Sequence, residues 1–258
     1  MKSTRRLQGA IKMAQNKFLG LMRWELEENL SLPLLAFLVA SAIIATMVNY
    51  RFGSCYREYT RLYYSSGTVF LISSLVAGAF FARSFAGSIG RGTTKIMLSY
   101  PIKRSQLFLS KFAALFLVTS VIYVPVFTMH VYVDGLAAFG PMILLSLFGL
   151  FLQLMLTCSV AVGISMVTKS EVVSILATVL LLFGLDSVLG YKHILTAEGR
   201  LFYLFQYVGN ELYGKLPFSG SPLVTANDTL LAVLVPIMVF VVLIVASFVY
   251  FTRFLEVD

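Results

Sequence analysis

Runs of apolar residues, each about twenty long and separated by polar breaks, set the rhythm of this chain. Six stretches have that form: Ser31 to Tyr50, Gly67 to about Phe85, Leu107 to about Val133, about Pro141 to Thr168, Glu171 to about Gly190, and about Leu230 to Phe251. A bilayer's hydrocarbon core is roughly 30 Å thick, which about 20 helical residues cross. The pattern therefore predicts six transmembrane helices, since a helix satisfies its own backbone polar groups in lipid. Ser31 caps the first, and Pro33 sits in its first turn, where a missing N–H does no harm. Pro125 and Pro236 lie inside the third and last spans, and Pro125 is placed to kink its helix. Lys169-Ser170-Glu171 forms a minimal hinge between spans four and five, with Ser170 as the cap.

Two further segments are apolar without spanning. Over residues 1–30, Leu7, Ile11, Ala14, Phe18 and Leu21 recur at helical spacing, with Lys12, Gln15 and Arg23 off that stripe. This predicts an amphipathic helix in the headgroup plane, anchored by Trp24. It is not a signal peptide: the first apolar run begins some 30 residues in and passes through Ala40-Ser41-Ala42 without a break. Residues 191–229 contain the aromatic stretch Leu201 to Val208, bracketed by Gly199-Arg200 and Gly209-Asn210. Too short to span, it predicts a re-entrant or interfacial helix before the last span. Asn227-Asp228-Thr229 fits the glycosylation pattern, a match that arises often by chance. The organisation is thus all-α, an interfacial helix over 1–30 and a six-span domain over 31–258. The long breaks in that domain are a loop at 86–111 and an external segment at 191–229.

Charge orients this layout. The chain is 59% hydrophobic and only 12% charged, against about a quarter charged in soluble domains. Its net charge of +8 does not suggest nucleic acid, because the basic residues sit at the ends of apolar runs. They read as topology and as affinity for anionic lipid headgroups. Fourteen of the 20 basic residues fall on segments that six spans place inside, and six fall outside. Both termini are then cytoplasmic, in the cell membrane. Cys55 and Cys158 make neither a disulfide framework nor a metal spacing.

The stretch Ser88 to Lys111 carries the densest one-signed charge: Arg91, Lys95, Lys103, Arg104 and Lys111, with no acid among them. A Gly-Arg-Gly turn leads into a short helix faced by Ile96 and Met97, which stops at Pro101. Residues Gly87 to Thr94 have the two glycines of a phosphate loop, but Thr93 stands where the lysine is required and no strand precedes it.

Gly92-Thr93, the run Ile96-Met97-Leu98-Ser99, Pro101-Ile102-Lys103-Arg104 and Lys111-Phe112 together resemble the loop between spans two and three of the type-2 ABC exporter permeases. Gly90 stands where that family usually has an acid and Lys95 where Glu is common, so this surface is more basic than the family's norm. The resemblance implies a six-span exporter half with no ATP site and no cofactor of its own, the ATP and magnesium belonging to a separate ATP-binding cassette subunit. Two such subunits and a second, identical permease complete the implied assembly, with about twelve spans around a central path. The loop becomes a coupling helix that contacts the ATPase through Gly90, Arg91, Gly92, Thr93, Lys95, Pro101 and Arg104. Weakly polar span faces suit a hydrophobic or amphipathic cargo. Asp186, about 22 Å along the fifth span at 1.5 Å per residue, and His130 near the outer end of the third are candidates for an outer gate. Ser74, Gly78 and Ala82 form a small-residue stripe for close helix approach, within the chain or between subunits. A membrane scaffold or sensor, or an intramembrane enzyme, are the alternatives. The enzyme is opposed by spans that hold no paired carboxylates.

Overall fold

The computed structural model describes residues 18–28, 31–52, 58–99, 102–133, 140–189, 193–213 and 224–254. These form nine α-helices: α1 Phe18–Glu28, α2 Leu32–Phe52, α3 Glu58–Gly90, α4 Thr93–Leu98, α5 Arg104–Val133, α6 Gly140–Thr168, α7 Glu171–Leu189, α8 Ala197–Tyr213 and α9 Ala226–Val249. A π turn, Tyr250–Phe254, extends α9. No strand occurs among the described residues. Five helices are long and apolar enough to cross a membrane, and a sixth span is added if α1 and α2 count as one broken element. Those two meet at a bend of 79°, so α1 runs nearly at right angles to α2.

The second span is longer than the expected Gly67 to Phe85. Helix α3 begins at Glu58 and reaches Gly90, which takes in part of the polar connection expected over Arg51 to Ser66. Hydropathy marks only the part of a helix that matches hydrocarbon, whereas backbone hydrogen bonding carries it past that limit. For the same reason the loop expected over 86–111 shrinks to Arg91 through Lys103, because α5 already begins at Arg104. The segments 1–17, Gly53 to Arg57 with Cys55, the turn at Asp134-Gly135, and 214–223 lie outside the described residues.

Helix α3 is the axis of the bundle. It packs against α2, α4, α5, α6, α7 and α8, and 67% of its apolar span is buried within the chain, against 18% for α7 and 11% for α9. Small side chains make this centrality possible: Ala77, Ala82 and Ala86 are fully buried, and Gly78 faces α6 and α7. Adding a Cβ at Gly78 would bring it within 3.0 Å of Thr178 and Leu182 and 3.2 Å of Thr157. The stripe thus brings helices of the same chain together.

Two apolar clusters fill the bundle. One, toward α8, joins Phe70, Tyr123, Phe127, Leu150, Leu201 and Phe205. The other, toward α4, joins Phe81, Phe85, Phe108, Val162 and Phe251, with ring centroids 5.5–6.5 Å apart. Buried hydroxyls of Ser73, Ser74, Ser88, Ser110, Ser159 and Ser165 donate to carbonyls three or four residues back, so polar atoms enter the apolar interior already partnered.

The aromatic segment expected as a re-entrant or interfacial helix is α8. Leu201, Phe202, Leu204 and Phe205 are buried against α3, α6 and α9. Arg200 locks the turn before it by donating to the carbonyls of Ile194 and Leu195 at 3.3 and 3.0 Å.

Candidate functional site

The turn between α3 and α5 is built by backbone geometry. Gly92 has φ +73°, in the left-handed region that side chains disfavour, and the chain reverses there. The Arg91 N–H donates to the Gly87 carbonyl at 3.0 Å and the Gly92 N–H to that of Ile89 at 3.1 Å. Helix α4 then runs six residues and ends at Ser99, whose hydroxyl donates to the Ile96 carbonyl at 2.6 Å. The Lys103 carbonyl opens α5 by accepting from Gln106 and Leu107.

Helix α4 has two faces. Thr94 is buried and Met97 half-buried, and both line a small cleft shared with Trp24, Glu25, Leu107 and Lys111. Lys95, Ile96 and Ser99 are exposed, Ile96 to 62%. With Arg91 and Lys103 also exposed and no acid from Ser88 to Lys111, this surface complements an acidic or polar partner.

The α6–α7 turn presses on the end of α3. Lys169 has φ +53°, and a Cβ added at Gly90 would lie 2.8 Å from the Lys169 carbonyl oxygen. One at Gly87 would lie 2.9 Å from both Arg91 Nη2 and Glu171 Oε2. Glu171 bridges Arg83 at 3.2 Å and Arg91 at 4.0 Å. Exposed pairs of this kind add little stability, but they fix where α7 begins relative to α3. The acid usual in the resembled pattern cannot stand at Gly90 without moving that turn, which accounts for the departure.

The expected contact residues therefore divide. Lys95 is exposed on α4, Thr93 is half-buried, and Gly92 shapes the turn. Gly90 abuts Lys169, Arg91 is drawn toward Glu171, and Arg104 is half-buried in the first turn of α5. Pro101 lies outside the described residues. Asp186 and His130 fall near the ends of α7 and α5 farthest from α4, and their side chains also lie outside the described residues. Ser74 and Ala82 are buried on α3, where Ser74 Oγ accepts from Gln153 Nε2 at 2.5 Å.

The structure adds a pair that the sequence did not bring forward. Lys111 Nζ lies 3.1 and 3.5 Å from the two carboxylate oxygens of Glu25, with Glu25 1% and Lys111 7% exposed, and the amine sits 5.7 Å from the Phe85 ring centroid. A signal for it exists. Glu25 continues the stripe of Phe18 and Leu21, so α1 carries an acid on its apolar face. Glu171 was equally legible as the acid opening the fifth span beside a basic loop. Among the described residues no group of three His, Cys, Asp or Glu could hold a metal ion.

Residues 2–254 match the ABC-2 family transporter proteins. The chain belongs to the ABC-2 transporter family. No curated protein matches it. This ABC-2 protein is accordingly a multi-pass membrane protein and a permease subunit of an ABC transporter. Its family supplies the transport component without an ATPase site and works with an ATP-binding cassette subunit.

Proposed function

We propose that this permease is half of an exporter dimer that moves a hydrophobic or amphipathic molecule across the cell membrane, and that α4 is its coupling helix. Two cassette subunits would hold the ATP and magnesium and close on the cytoplasmic side, and the fourteen-to-six distribution of basic residues supports α4 and both termini facing that side. The observation that carries this reading is the two-faced α4, with Lys95 and Ile96 open to a partner and Thr94 and Met97 set into the bundle. A push on α4 would reach α3 through the Arg91–Gly92 turn, α5 through Lys103, and α7 through Glu171. Nucleotide shifts the two-state balance only as far as the cassette pair contacts α4 differently before and after closure.

The geometry selects the variant that tests this. Reversing Arg91 would set an acid beside Glu171, so Lys95→Glu with Lys103→Glu alters the exposed charge without touching an ion pair among the described residues. The expected outcome is loss of the co-purifying cassette subunit with membrane insertion and melting temperature unchanged. A subunit that co-purifies undiminished sinks the assignment of α4.

A further inference from the structure

Helix α1 meets α5 in a buried ion pair, set in the cleft beneath α4, whose chemistry is unusual for its setting. The cleft beneath α4 is closed by Trp24 and Glu25 of α1, Ser88 of α3, Met97 of α4, Lys111 of α5 and Phe251 of the π turn. At its centre, Lys111 meets Glu25 at 3.1 Å with both groups more than nine-tenths buried, above the Phe85 ring. A buried ion pair is a poor device for stability, since an apolar pair of similar volume packs as well or better. What it adds is a fixed distance and direction between the elements that carry it. We infer that Glu25 is a positioning residue for transport: its pair with Lys111 makes α1 and the α4 hairpin one body, so that displacement of α4 carries α1, and through the 79° bend, α2.

This rests on the reading of α4 as the docking helix, so the test has one arm that needs no ATPase. In the first arm the permease alone, in nanodiscs, is compared with Glu25→Gln by backbone hydrogen exchange. Exchange in α4 is expected to rise at least tenfold while α6 stays unchanged, and equal exchange in α4 overturns the inference. The second arm reconstitutes the permease with its co-purified cassette subunit in proteoliposomes. It compares wild type with Glu25→Gln, the apolar double variant Glu25→Leu/Lys111→Met, and the charge swap Glu25→Lys/Lys111→Glu. The apolar double variant is expected to melt no lower than wild type and to bind the ATPase equally, yet to lose at least tenfold of the permease-stimulated ATP hydrolysis, which the swap restores in part. Full stimulation in the apolar double variant reduces the pair to a packing contact and overturns the inference. Should wild type bind no cassette subunit at all, the docking reading fails while the first arm still decides whether α1 and α4 move together.

Discussion

At the scale of single residues, the end of α3 is governed by what cannot fit there. The Lys169 carbonyl would be 2.8 Å from a Cβ at Gly90, and that neighbour is backbone, so it cannot rotate away. Gly90→Ala is therefore expected to lower the melting temperature of the purified permease, at a cost of about 1–3 kcal/mol for an overpacked contact. Gly90→Glu should be at least as damaging, although it restores the acid of the resembled pattern. A Gly90→Ala protein that melts like wild type would show that the α6–α7 turn is free to move. The same scale shows the limits of sequence reading. A loop whose charges are all basic was visible as a string of letters, but the acids that organise it, Glu25 and Glu171, lie 86 and 80 positions from their partners Lys111 and Arg91. Spacing along a chain does not encode such pairs.

At the scale of elements, hydropathy found each span but not its ends. Span four was expected from about Pro141 to Thr168 and span five from Glu171 to about Gly190, and both agree closely with α6 and α7, because Gly140 and the Lys169-Ser170 turn punctuate them. For span two, Ser65-Ser66-Gly67 imitates such punctuation from inside α3, whose first turns are polar and Tyr-rich. Helix α9 starts earlier than expected for a different reason. Thr225 and Asp228 form a reciprocal cap, with the Thr225 N–H donating to Asp228 Oδ2 at 3.0 Å and the Asp228 N–H to Thr225 Oγ1 at 3.3 Å. Asn227 of the glycosylation pattern accordingly sits in a helical first turn. Helix α8 was legible as an apolar element, but its depth was not. Phe205 is fully buried in the cluster with Phe70 and Leu150, so Phe205→Ala is expected to destabilise the fold by about 3–5 kcal/mol. A purely interfacial α8 would instead tolerate the change with no loss of melting temperature in detergent.

At the scale of the molecule, the uneven burial of the spans bears on how two copies would meet. Helix α3 is enclosed by its own chain, whereas α7 and α9 leave Leu180, Phe183, Met238 and Val242 exposed, faces that only lipid or another subunit can cover. The small-residue stripe on α3 is already spent within the chain, since Gly78 touches Thr157, Thr178 and Leu182 and Ala82 is fully buried. A second permease would then have to approach through another face. Filling the stripe separates these alternatives, because Gly78→Leu must displace α6 and α7 but reaches no outer surface. The expected result is a lower melting temperature by thermal shift, with the monomer-to-dimer ratio by light scattering unchanged at temperatures where the variant is still folded. A variant that melts normally yet turns monomeric would move the subunit seam onto α3 and require α7 to swing away from it, contrary to the close fit at Leu182.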